Sequence, residues 1–185
     1  MLWLIWILGV VIVLVVVITF YYYNRFVVLE NRIDNSLAQI DVQLKRRADL
    51  IPNLLESVKG YMKHEKEAIK AVTDARKALV GAKNLDKRVK ADNQLEGALK
   101  SIFAIAEGYP DLKANQNFIQ LQNELTATED KIAYARQFYN DSVLVFNNMV
   151  EMFPGVFFAK IFRKKEKEYI EIEEEEKKNV KVSFE

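Results

Sequence analysis

Twenty residues at the start of the chain restrict the rest of it more than anything that follows. From Met1 to Phe20 only Gly9 and Thr19 are not strongly apolar, and no charged side chain occurs before Arg25. Wound as a helix, such a run rises about 30 Å, which is the thickness of a bilayer's hydrocarbon core. It predicts a transmembrane helix. Trp3 and Trp6 near one end and Tyr21, Tyr22 and Tyr23 at the other occur where amphipathic rings favour the two headgroup levels. A cleaved signal peptide needs a basic leader, a shorter apolar stretch and a small-residue cleavage site, and none of these precedes the tyrosines. Residues 1–23 therefore read as an uncleaved anchor in the lipid bilayer. No Lys or Arg precedes the run, whereas Arg25, Arg32, Lys45, Arg46 and Arg47 follow it. The positive-inside bias then expects an outside N-terminus and a cytoplasmic body, placing the protein in the cell membrane as a single-pass chain.

Composition removes whole classes of chemistry. With 185 residues the chain is long enough for one domain of ordinary size. With no cysteine there are no disulfides, thiolate metal sites or cysteine nucleophiles, and the single histidine, His64, leaves one imidazole base and no multi-histidine metal centre. Neither a cofactor nor a metal site is expected. A net charge of +1 is too small to drive nucleic-acid binding by counterion release. Six glycines and three prolines suit long helices better than turn-rich sheets.

The spacing past the anchor is helical throughout. Steps of four and three from Ile33 give Leu37, Ile40, Leu44, Arg47, Ile51, Leu54, Val58, Tyr61, Glu65, Ala68, Val72, Ala75 and Leu79, with only Arg47 and Glu65 breaking the coiled-coil stripe. This predicts one long helix, bent at Pro52, which cannot donate to the carbonyl of Ala48. Gly81 ends it, and Asn84 can cap a second helix with Leu85, Leu95, Leu99, Ile102 and Ala106 inward, stopped at Glu107–Pro110. Asn115 or Asn117 can cap a third, carrying Phe118, Leu121, Leu125, Thr128, Ile132, Ala135, Tyr139, Ser142, Phe146, Met149 and Phe153, closed by Pro154 and Gly155. The expected fold is all-α: an N-terminal transmembrane helix, then an antiparallel bundle of three long helices plus a short C-terminal helix near 156–162. The expected divisions are an anchor at 1–23, a helical bundle at 24–162 and a charged tail at 163–185. That tail either stays solvated or packs along the bundle as extended pieces.

Few side chains suggest a site. His64 and Glu65 point about 100° apart on a helix and do not converge on one reacting atom. Arg47 and Glu65 interrupt the stripe about 27 Å apart on a straight rod, too far to pair, so each needs a partner elsewhere. Together with the small polar Thr128 and Ser142 they are the candidate polar core layer. Tyr109, Asp111 and Lys113, in a mixed turn, are the candidate partner-binding residues. Tyr139, Asn140 and Asp141 lack the second acid that a cation site needs, and the basic run Lys45–Arg47 reads as a solvated face. In Phe157–Lys165 the aromatic residues followed by cations suit either an interfacial helix or a cap on the core, and the cap is the expectation.

The segments Asn31–Glu65 and Ala106–Asp141, with the Phe-Pro-Gly of residues 153–155, resemble the signature of the LemA family. The resemblance implies a single-pass membrane protein whose helical bundle faces the cytoplasm, in a family without an established reaction. The charged sequence of residues 164–178 departs from that family's pattern. The functional expectation is a membrane-anchored scaffold or adaptor, not an enzyme, that binds unidentified protein partners and is a candidate homo-oligomer. A lipid-surface or envelope-organising protein is the first alternative, and an enzyme acting through His64 or Glu65 the second.

Overall fold

The computed structural model describes residues 2–170, and every described element is helical. The acidic run Glu173–Glu176 and the alternating residues 180–184 lie outside the described residues. The helices are α1 (Leu2–Lys59), α2 (Lys66–Gly81), α3 (Leu85–Ala106), α4 (Pro110–Lys113), α5 (Gln116–Glu151) and α6 (Gly155–Ile161). The chain divides into two compact units: a bundle unit, Glu30–Phe138, and an anchor unit, Met1–Leu29 with Tyr139–Glu185.

The bundle unit confirms the all-α reading and corrects one detail of it. The stripe expected to run as one helix to Leu79 breaks after Lys59, where the amides of Tyr61 and Met62 both donate to the Val58 carbonyl, at 3.1 and 2.8 Å. Gly60, a poor helix former, begins the turn, and Met62 fills the core beneath it with no exposed surface. The stripe survived the break because Val72, Ala75 and Leu79 of α2 face the same core as Ile51, Leu54 and Val58 of α1. A heptad reports which face is inward and carries no mark of continuity.

Cross-helix contacts give the topology. Asp41 and Arg47 of α1 meet Arg88 and Asp92 of α3 in ascending order, so these two helices run parallel. Arg46 faces Glu124 and Arg32 covers the Phe138 ring, so α5 runs against α1. With α2 returning between α1 and α3, this unit is an up-down-up-down bundle of four segments. Asn115 caps α5, its side-chain oxygen accepting the amides of Asn117 and Phe118 at 2.9 and 3.2 Å. Asn84 occupies the cap position of α3 without a side-chain hydrogen bond there.

Pro52 lies inside α1, and the helix passes through it. The carbonyl of Ala48 that a residue-52 amide would have satisfied accepts instead from Arg76 Nε of α2, at 2.8 Å. A proline that removes one donor from α1 thus creates a docking point for α2.

In the anchor unit the large apolar side chains from Leu2 to Ile18 are exposed, and burial begins with Phe26 and Leu29. This stretch of α1 is long and apolar enough to cross a membrane. Phe26 meets Phe146 of α5 edge-to-face with centroids 5.8 Å apart. α5 and α6 meet at 89°. A Cβ at Gly155 would run into the Met149 carbonyl oxygen, so only glycine allows this corner. Phe158 stacks on Tyr22 at 4.6 Å, and Phe162 lies edge-on to Tyr23 at 5.4 Å.

α6 ends in a Schellman motif: the Lys164 amide donates to the Ala159 carbonyl at 2.8 Å and the Arg163 amide to Lys160 at 3.3 Å. Arg163 takes the left-handed conformation there, with φ 54°, a position that usually carries glycine. The chain then runs back along α5 as a strap. Asn147 donates to the Lys167 carbonyl and accepts its amide, at 2.9 and 2.8 Å. Two turns earlier, Asn140 holds both backbone groups of Ile170 at 2.9 Å each, and the Tyr139 hydroxyl donates to the Glu168 carbonyl. Ile170 is buried, so the strap's far end packs on its unit while residues 165–169 stay exposed.

Candidate functional site

Arg47, on the apolar stripe of α1, is almost wholly buried, and its partners come from two other helices. Its Nη1 donates to Asp92 Oδ1 of α3 at 2.8 Å, and its Nη2 to Glu129 Oε2 of α5 at 3.2 Å. The second oxygen of Asp92 accepts from Arg136 Nη2 of α5 at 2.8 Å, and that same nitrogen reaches Asn93 Oδ1 at 3.1 Å. Two guanidinium groups and two carboxylates close on one another. Arg47 Nε and Arg136 Nε find no acceptor among the described residues, which leaves Asp92, equally buried, as the main compensation for both cations.

Glu129, at the rim, has its carboxyl pKa raised above the ordinary 4.5. Burial raises it most and the nearby Glu96 charge adds to this; Arg47 and Lys100 pull the other way without prevailing.

The expected polar layer of Arg47, Glu65, Thr128 and Ser142 does not assemble as one group. Arg47 found its counterions as required. Glu65 sits outside any helix, half-buried at the start of α2, where its Oε1 accepts the Tyr109 hydroxyl at 3.1 Å. Thr128 is buried, but its hydroxyl returns to the Leu125 carbonyl of its own helix at 2.7 Å. Ser142 is buried in the anchor unit. The residues that complete the network, Asp92, Arg136 and Glu129, had one visible signal. Stepping back from Leu95 on the α3 stripe lands on Asp92, a charge at an inward position.

Tyr109 precedes the single-turn α4, whose Leu112 is fully buried while Asp111 and Lys113 are exposed. The hydrogen bond to Glu65, then burial, then the Glu65 charge push the Tyr109 hydroxyl above its ordinary 10.0, so it keeps its proton and acts as a donor. His64 is exposed.

A cleft of about 400 Å³ in the bundle unit is lined by Asp41, Lys45, Ala48, Asp49, Arg76 and Arg88 among others. Arg88 is hydrogen-bonded to Asp41 and Arg76 to the Ala48 carbonyl, so both guanidiniums serve the helix packing. Among the described residues no group of three or more metal-ligating side chains gathers. Asn140 holds the strap backbone, and Asp141 is exposed beside it. Of the basic run Lys45–Arg47, expected on a solvated face, Arg47 is instead the buried centre of the network.

The sequence profile of the LemA family matches residues 36–184. The chain belongs to the LemA family. It is similar to Protein LemA of Metamycoplasma hominis, at 26% identity over 81% of this chain and 73% of that one. It is also similar to Magnetosome protein MamQ of Magnetospirillum gryphiswaldense and to Magnetosome protein MamQ 2 of Paramagnetospirillum magneticum, at 25% and 23% identity, covering 80% of this chain each time. The chain spans 64% of the length of each of these magnetosome proteins. The match to the LemA profile takes in α2 to α6 and begins inside α1, past the apolar run. The charged cluster, carried by α1, α3 and α5 at residues 47, 92, 129 and 136, lies wholly within it.

Proposed function

We propose that this LemA-family chain is a membrane-anchored helical scaffold or adaptor that binds partner proteins at the cytoplasmic face. The observation that carries this reading is the closure of the buried cluster. Two cations and two anions face one another between helices, and Arg76 and Arg88 of the neighbouring cleft are held by the Ala48 carbonyl and by Asp41. Catalysis would need polar groups left aimed at a substrate. Here both carboxylates and the terminal guanidinium nitrogens that meet them join one helix to another, which holds the register a rigid display surface requires.

The exposed residues of α4 are the candidate contact. Leu112 below and the Tyr109–Glu65 hydrogen bond beside them fix the turn, so Asp111 and Lys113 are presented with little conformational freedom to lose on binding. The exposed apolar stretch of α1 supplies the tether, and the excess of basic residues after it supports an outside N-terminus. Cross-linking of the full chain in intact cells, repeated with Asp111→Lys combined with Lys113→Glu, tests the reading. A recurring partner lost in the double variant, with helicity unchanged, is the expected result. Capture of nothing but the chain itself would overturn it in favour of a homo-oligomeric structural role. A second reading, a protein that organises the lipid surface, is favoured by α6.

A further inference from the structure

We propose that α6 and the turn before it form an interfacial platform, lying in the headgroup layer of the bilayer that α1 crosses; this rests on the anchor reading above. The first support is position. The rings of Phe158 and Phe162 pack on Tyr22 and Tyr23, immediately after the apolar run ends at Phe20. Packing thus ties α6 to the very level at which α1 leaves the hydrocarbon.

The second is an inverted distribution of apolar surface. The inner side of α6 is filled by Gly155, Phe158 and Ala159, as any packed helix would be. Its outward side, Phe157 and Ile161, is also apolar, at 61 and 54% exposed, as are Met152 and Phe153 in the turn before it, at 63 and 86%. Phe157 and Ile161, four residues apart, form one ridge of α6, and Met152 and Phe153 extend the apolar surface into the turn before it. A short helix bathed in water would carry polar groups there, whereas a helix lying on acyl chains needs this ridge.

Charge is the third. Lys160, Arg163 and Lys165 are exposed at the end of the ridge, so anionic headgroups have cations to meet where the apolar contact stops. The 89° corner supplies the last element, because it turns the chain across the direction of α5. The expectation that Phe157 caps the core is thereby corrected. Phe158 and Phe162 do the packing, and Phe157 faces out.

The absence of cysteine makes the test direct. A single cysteine replaces Phe153, Phe157 or Ile161 in the full chain and carries an environment-sensitive fluorophore. The protein is reconstituted in vesicles of mixed phosphatidylcholine and phosphatidylglycerol. Val13, inside the apolar run, and Lys131, exposed in the bundle unit, are the reference positions. The expected result is quenching of all three labels by lipids brominated near the headgroup, with iodide quenching at least about fivefold below that at Lys131. Replacing Lys160, Arg163 and Lys165 by Gln should weaken the lipid quenching more in the anionic vesicles than in pure phosphatidylcholine.

If Val13 reports lipid but the three labels are open to iodide, the platform is overturned and the anchor stands. If Val13 itself reports water, the anchor reading has failed and takes the platform with it. Labels shielded from iodide yet untouched by brominated lipid would also overturn the proposal, since protein, a second copy of the chain, would then be covering the ridge.

Discussion

The two units solve the same problem, fixing helices in register, with opposite materials. At the centre of the bundle unit sits a charged network, Arg47, Asp92, Arg136 and Glu129, on three helices. The anchor unit uses rings, Phe26, Phe146, Phe158 and Phe162, and the amides of Asn140 and Asn147. Apolar packing tolerates a slip of one turn far better than ion pairing does, because a displaced charge is left buried and alone. Four helical segments with similar stripes could interdigitate in several registers, and the ionic cluster admits one. The anchor unit holds its register through the corner at Gly155 and the strap, both of which grip backbone. Charges specify where many helical arrangements compete; backbone clamps suffice where the chain itself turns.

The largest effect should follow from breaking the charged side of this contrast at Asp92. Asp92→Ala leaves the guanidinium groups of Arg47 and Arg136 buried without their common counterion and should destabilise the bundle by about 3–5 kcal/mol. Denaturation of the full chain in detergent, followed by circular dichroism, measures it. Arg47→Met combined with Asp92→Leu should lose less than Asp92→Leu alone, with a coupling energy of about 1–3 kcal/mol. Simple additivity of the two substitutions would show that the pair contributes packing and no charge-specific register.

Breaking the clamp side should cost less and act locally. Asn147→Ala strands the amide and carbonyl of Lys167, a loss of about 1–3 kcal/mol confined to the strap. Opening of the strap should free the backbone around Lys164, Lys165 and Lys167 to enter trypsin, with cleavage about tenfold faster for each 1.4 kcal/mol lost. A lowered unfolding midpoint without faster cleavage would mean that Asn147 supports the body of α5 more than the strap.

How much of this was readable in the sequence depends on the length over which a signal repeats. The long apolar helix at the start, the ends at Gly81 and Ala106 and the cap at Asn115 follow from local composition and were legible. On α5 the expected stripe is buried from Leu125 to Phe146, but a second line, Val143, Asn147 and Val150, is buried beside its end and replaces Met149 and Phe153, because a strict heptad drifts around a straight helix. The turn at Gly60–Glu65 was masked by a stripe that stays in phase across it, although Glu65, a charge at an inward position, marked the place. Partnerships were the least legible. Arg47 announced its need for a counterion, but Asp92 lies 45 residues away, and only the bundle topology brings them together. The donor for Ala48 was equally hidden: Pro52 declares the unsatisfied carbonyl, and nothing local nominates Arg76.

The rim of the charged cluster sharpens the contrast by showing where its ionic character fades. Glu129 pairs with Arg47, yet its side chain is 41% exposed and its pKa lies above the ordinary value. A raised native pKa means that the folded chain holds this proton more tightly than the unfolded one. Its contribution to stability is therefore complete below the unfolded carboxyl range and is lost as pH rises through the native value. Glu129→Gln removes the titration while keeping an oxygen for Arg47 to donate to. Measured against that variant, the unaltered chain should gain stability as pH falls from 7 toward 4, by less than about 1 kcal/mol after solvent screening. A difference that grew in the other direction, with rising pH, would show that attraction to Arg47 outweighs burial and the Glu96 charge. The rim would then belong to the ionic core as firmly as Asp92 does.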